Sequence, residues 1–225
     1  MEDSGYGGVD EPRGVREPLL HAPWTIVTLC LGLVALYVIQ TLALSDAQQG
    51  LALSAAGLKA GRWWTLLTSL FLHGSWPHVL INSVAALAYG PPVARLFGTH
   101  ARGASVFAAF YLVCGVLGGL GFVALNLHDA EGAVGASGAI SGLLGAASRI
   151  IQGRGRIGRM LGSTVLWMAL VWTAANWFLA KFGLTPGAGN MQVAWQAHVV
   201  GYAAGVLLIG PFARLAGAGD GAFTD

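Results

Sequence analysis

Of the 225 residues, 55% are hydrophobic and only 10% carry a charged side chain, against about a quarter charged in a soluble domain. That balance belongs to a chain embedded in lipid, and a net charge of +2, dispersed along the sequence, offers no basic patch for nucleic acid. Cys30 and Cys114 are the two cysteines; each lies inside an apolar run and they supply neither a disulfide framework nor a thiolate metal site.

Residues 1–23 are polar, with Glu2, Asp3, Asp10, Glu11 and Glu17 beside Arg13 and Arg16. They lack the basic start and small-residue cleavage site of a secretory signal, so they read as a cytoplasmic tail followed by a retained span. About 20 apolar residues cross a hydrocarbon core of about 30 Å. Trp24 to Leu44 meets that length, and further spans follow at Trp76 to Leu96, Gly103 to Leu125, Gly135 to Ile151, Leu161 to Ala180 and Val193 to Ala213. The expected fold is therefore an all-α membrane protein with a six-helix transmembrane domain over 24–213 and a cytoplasmic C-terminal tail over 214–225. The second span carries Pro91 and Pro92, and the fourth is short. A short span starting below the surface needs other helices to shield its end from lipid. The 34 glycines, largely inside apolar runs, suit close helix–helix approach.

Positive residues concentrate on the cytoplasmic side of a membrane. With both termini inside, nine arginines (13, 16, 95, 102, 149, 154, 156, 159 and 214) fall inside, and Lys59, Arg62 and Lys181 fall outside. The loops around 45–75, 126–134 and 181–192 are then external. The first carries Trp63, Trp64, Leu66, Leu67, Leu70 and Phe71, apolar enough to lie in the membrane interface. With no organelle-targeting sequence and a short tail, the expected location is a bacterial inner membrane.

No Asp or Glu falls within any expected span. A membrane aspartyl protease needs two buried carboxylates and a proton-coupled transporter usually needs one, while a zinc protease needs a motif such as H-E-x-x-H, which is missing. Chemistry at membrane depth must come from neutral Ser, His and Asn. Gly135-Ala136-Ser137-Gly138 enters the fourth span, where free backbone N–H groups and the positive end of the helix dipole suit an oxyanion beside Ser137. His198 shares a helical face with Gly201 and Gly205, and Ser137, Ser141 and Gly145 form a similar stripe of small residues. Two such stripes brought together would set the imidazole against the hydroxyl. The plainer reading is a packing groove with a histidine bonded to a carbonyl. In Leu72-His73-Gly74-Ser75-Trp76-Pro77-His78, Ser75 and Pro77 suit a helix start, which puts His78 and Asn82 one turn apart. Both offer N–H donors for an oxyanion, or hydrogen bonds between helices. His73 suits a structural role, holding the outer loop to the bundle. A metal site on His73, His78 and His198 would have no acid or cysteine to complete it.

These residues together resemble the rhomboid intramembrane serine proteases, over about Gly61 to Gly210. Leu66-Leu67-Thr68 to Phe71-Leu72-His73-Gly74, then His78 and Asn82, is similar to the family's H-x-x-x-x-H-x-x-x-N run, and Gly90-Pro91-Pro92 to its G-P element. Gly135-Ala136-Ser137-Gly138 resembles its G-x-S-G, and Ala197-His198-Val199-Val200-Gly201 with Gly205 its A-H-x-x-G helix. The resemblance implies a six-span core, no cofactor or metal, and catalysis by Ser137 and His198 without a third acid. It also implies an oxyanion site from His78, Asn82 and the backbone at Gly135 and Ser137, close packing at Gly138, Gly201 and Gly205, and transmembrane segments of other proteins as substrates. Three positions depart from the pattern. Thr65 stands where Arg often follows Trp, Ala94 where an acid is common, and Ser141 where an aromatic often packs on the catalytic imidazole. Without that ring, the orientation of His198 is left to helix packing. The main alternative is a non-catalytic rhomboid-like protein that binds membrane helices; a channel or small-solute transporter is disfavoured because the expected spans lack acids and obvious inverted repeats.

Overall fold

The computed structural model describes residues 22–43, 48–127, 132–184 and 194–224, and these are helical with no β-strand among them. The expected polar tail falls almost wholly outside the described residues, as do much of the 181–192 loop and the tip of the 126–134 loop. Asp46, Asp129 and Glu131 fall there too.

The helices in chain order are α1 (Trp24–Ala43), three short outer helices α2 (Gln48–Leu51), α3 (Ala55–Lys59) and α4 (Thr65–Thr68), then α5 (Trp76–Phe97), α6 (Ala101–Leu125), α7 (Ser137–Gln152), α8 (Ser163–Phe182) and α9 (Trp195–Ala216). Five of them, α1, α5, α6, α8 and α9, are long and apolar enough to cross a membrane. The chain is thus an all-α membrane bundle. The starts are set locally. Ser75 Oγ accepts from the His78 amide at 3.2 Å with Pro77 in the first turn of α5, and His100 Nδ1 accepts from the Gly103 amide at 3.0 Å to begin α6. The helix of α5 runs on through Pro91 and Pro92.

The fourth expected span, α7, has 16 residues, roughly 24 Å at 1.5 Å per residue, which is shorter than the hydrocarbon core. Every residue from Gly138 to Ile150 is buried, so α5, α6, α8 and α9, which all pack on it, take the place of lipid. The tightest seam is between α7 and α9. A Cβ on Gly201 would lie 2.1 Å from the Gly138 carbonyl oxygen, and one on Gly205 would lie 1.9 Å from that of Gly142. The stripe facing α9 is therefore Gly138, Gly142 and Gly145, which shares Gly145 with the expected stripe and lies one residue on from Ser137 and Ser141. The backbones themselves touch, and the seryl side chains sit at the edge of the seam.

At the opposite end of α7, buried Arg149 donates to the carbonyls of Gly158 at 2.8 Å and Val206 at 2.9 Å. A buried guanidinium needs such partners to offset its lost hydration. The C-terminal residues fold back on the same region. Ile157 N–H donates to Ala222 at 2.7 Å, Thr224 N–H to Ile157 at 3.1 Å, and Arg156 reaches the carbonyls of Gly221 and Phe223.

Candidate active site

Ser137 is the first residue of α7, and no side chain caps that end. Its approach is held from outside. Leu53 and Ala133 exchange two backbone hydrogen bonds, at 3.1 and 2.7 Å, and the Gly135 amide donates to the Ser69 carbonyl at 2.9 Å. The outer loop and the turn before the serine are therefore one hydrogen-bonded piece. Gly135 takes φ +127°, and a Cβ there would lie 2.8 Å from His78 Nε2. Both the backbone conformation and the ring beside it require glycine.

Ser137 is partly exposed and His198, on the buried face of α9, is 8% exposed. The two meet, with His198 Nε2 at 2.6 Å from Ser137 Oγ. The hydroxyl of a partly exposed serine is thus hydrogen-bonded to an imidazole screened from solvent.

His78, at the start of α5, accepts on Nδ1 from the Gly74 amide at 3.4 Å, which leaves Nε2 as its donor, on the side facing Gly135. One turn on, Asn82 is 4% exposed and its Nδ2 has no hydrogen-bond partner among the described residues. A buried amide donor without a partner carries a cost of about 1–3 kcal/mol, and needs an explanation.

His73 is buried, but its ring makes no hydrogen bond among the described residues. It stands edge-on to His78 at 5.1 Å between centroids and to Tyr37 at 6.4 Å. Burial first, and then the neighbouring His78, push its imidazole down to about 3. What holds this loop is the backbone of His73. Gln40 of α1 donates to its carbonyl at 2.6 Å and accepts from its amide at 2.9 Å.

Of the three departures, Thr65 is buried, with Oγ1 donating to the Arg62 carbonyl at 2.7 Å, while the Arg62 side chain lies inside the outer loop against Gly57. Ala94 is buried in the apolar core. Ser141 Oγ donates to the Ser137 carbonyl at 2.7 Å.

Two polar residues at the site were not singled out from the sequence. Gln40 is one; the other is Asn176 of α8, whose Oδ1 contacts His198 Nδ1 and whose Nδ2 donates to the Trp172 carbonyl at 2.8 Å. The Trp172 ring lies 6.2 Å from the His198 ring. The available signal is an uncharged amide isolated within an apolar span; unlike Asn82, neither stands one turn from a histidine on its own helix.

A Rhomboid domain model matches residues 60–214. The chain belongs to the rhomboid family. It is 29% identical to the putative rhomboid protease YdcA of Bacillus subtilis (strain 168) over 152 residues, 68% of each chain. With the rhomboid protease GluP of the same organism it shares 30% identity over 112 residues, 49% of this chain and 20% of GluP. With RHOMBOID-like protein 9, chloroplastic, of Arabidopsis thaliana it shares 40% over 87 residues, 39% of this chain and 18% of that one. The matches thus span about two thirds of YdcA but a fifth or less of the other two. This rhomboid is an integral, multi-pass membrane protein, a rhomboid-type intramembrane protease or a relative of one.

Proposed function

We propose that this rhomboid is a serine endopeptidase that cuts transmembrane segments of other membrane proteins. The observation that carries the reading is the 2.6 Å contact of His198 Nε2 with Ser137 Oγ, made where α7 begins. His198 takes the hydroxyl proton as Oγ attacks the scissile carbonyl, and the same proton then passes to the leaving amine. The resulting acyl-enzyme is hydrolysed by water activated in the same way.

Charge developing on the carbonyl oxygen needs donors already in place. The Ser137 amide at the helix start, His78 Nε2–H and the unpartnered Nδ2 of Asn82 are suited to supply them, with Gly135 leaving room for the His78 ring. A transmembrane helix as substrate fits a site set in the bundle, because its backbone carbonyls become open to attack once it unwinds near the membrane surface. The basic residues favour both termini on the cytoplasmic side, with residues 24–213 as the catalytic bundle in a bacterial inner membrane.

The test is covalent labelling of the detergent-solubilised protein with a fluorophosphonate. Wild type should label, and Ser137→Ala and His198→Ala should not. Absence of labelling in folded wild type would replace the protease by a helix-binding relative.

A further inference from the structure

His198 uses both ring nitrogens. Nε2 faces Ser137 Oγ at 2.6 Å, and Nδ1 faces Asn176 Oδ1. A neutral imidazole has one N–H and one lone pair, so a proton on one nitrogen decides the role of the other. For Nε2 to receive the serine proton, Nδ1 must carry the hydrogen.

The carboxamide of Asn176 fixes that choice. Its amino end donates to the Trp172 carbonyl at 2.8 Å, and a carbonyl can only accept. The oxygen end must then face Nδ1, which satisfies a donor and repels a lone pair. With the proton on Nε2 instead, two acceptors would face each other in a buried contact, an arrangement that costs about as much as an unmet hydrogen bond. The surroundings of Asn176 point the same way. Among the residues of α8 only Val165 and Asn176 are buried, while Leu166, Trp167, Leu170, Val171, Trp177 and Phe178 are exposed along the same helix. Ser141, where the resemblance led one to expect a ring on the imidazole, spends its hydroxyl on the Ser137 carbonyl. The aromatic neighbour of His198 comes from α8 instead, as Trp172, one turn before Asn176.

We propose that Asn176 is a positioning residue for catalysis, holding His198 with its proton on Nδ1 and its lone pair on Nε2 directed at Ser137. The proposal rests on the dyad reading above. It predicts more than a bond that fastens α8 to α9, because fastening would not depend on which nitrogen carries the proton.

The experiment combines nitrogen NMR of ¹⁵N-histidine-labelled full-length protein in detergent with turnover of a transmembrane substrate. The His198 signals are assigned by their loss in His198→Ala. Wild type should show the neutral ring protonated on Nδ1. Asn176→Leu, which keeps the volume and removes the acceptor, should lose that form. Its kcat should fall about 10- to 100-fold, part of the 10² to 10⁴ that a general base contributes, with KM changed less than about threefold. Asn176→Asp, which restores an acceptor, should regain the Nδ1–H form and at least about tenfold of the lost rate. A wild-type ring protonated on Nε2 overturns the proposal even if Asn176→Leu does not fold. So does an unchanged tautomer in folded Asn176→Leu, or an Asp variant no better than Leu. Failure of wild type to react with a fluorophosphonate refutes the dyad, and with it a catalytic role for Asn176, while the spectrum still decides whether Asn176 sets the His198 tautomer.

Discussion

The α7–α9 seam and helix α8 hold the same histidine by opposite means. In the seam, glycines bring two backbones into direct contact, and neither helix has room to shift. Helix α8 has two buried residues and a largely lipid-facing surface, yet one of those two residues meets His198. The difference separates two requirements of the site. On the proposed reading, the distance between Ser137 and His198 is set where packing is tightest, and the rotational state of the imidazole is set by a side chain on a peripheral helix.

That contrast can be broken first at the seam. Gly205→Leu drives its side chain into the Gly142 carbonyl, 1.9 Å from the first added carbon. Because backbone is the obstacle, the cost should exceed the 1–3 kcal/mol usual for overpacking. The expected outcome is loss of the cooperative melting transition together with all fluorophosphonate labelling; a folded, labelled variant would show that the seam can open.

Asn82→Ala tests a site element on neither side of the contrast. It should lower turnover about 10²-fold, as removal of one oxyanion donor does. The melting temperature should hold or rise, since the Nδ2 that is removed has no hydrogen-bond partner among the described residues. Full turnover would remove Asn82 from the oxyanion site.

On the α8 side, Trp172→Leu takes away the ring beside His198 and keeps the backbone carbonyl that orients Asn176. Turnover should drop a few-fold, in line with an aromatic contact of about 0.5–1.5 kcal/mol. A loss as large as that of Asn176→Leu would mean that the ring, and not the amide, governs the imidazole.

The remaining test is of acid stability and leaves turnover aside. Folded His73 takes up its proton only near 3, against 6.5 for a free imidazole. Below about 6.5 the unfolded chain therefore binds the additional proton, and stability falls as the pH drops towards 3. His73→Gln should melt with a shallower dependence on pH between about 6.5 and 5 than wild type. Equal slopes would mean that His73 does not set the acid response.

The helices of the bundle were legible because a span is a matter of length and apolarity. Trp24 to Leu44 became Trp24–Ala43, and Trp76 to Leu96 became Trp76–Phe97. Even the shortness of α7 was visible. The register of the seam was not, since adjacent small residues on one helix, Ser137 and Gly138 or Ser141 and Gly142, look alike until a partner helix chooses between them. The pairing of Ser137 with His198 was suggested by two small-residue stripes and by resemblance to the family. The link from His198 to Asn176 depends on how α8 leans on α9, which no spacing within either helix encodes. Nor does the outer loop announce that Leu53 and Ser69 will hold the turn before Ser137.

Gln40 bears on where the working unit begins. The family match starts at residue 60, but the amide and carbonyl of buried His73, five residues before His78, are both bonded to a side chain twenty positions upstream of that boundary. A fragment cut to the matched residues would leave two backbone groups unmet beside the proposed oxyanion site, at about 1–3 kcal/mol each. Helix α1 is in this sense a prosthesis for the loop, lying outside the matched segment and supplying what its backbone lacks.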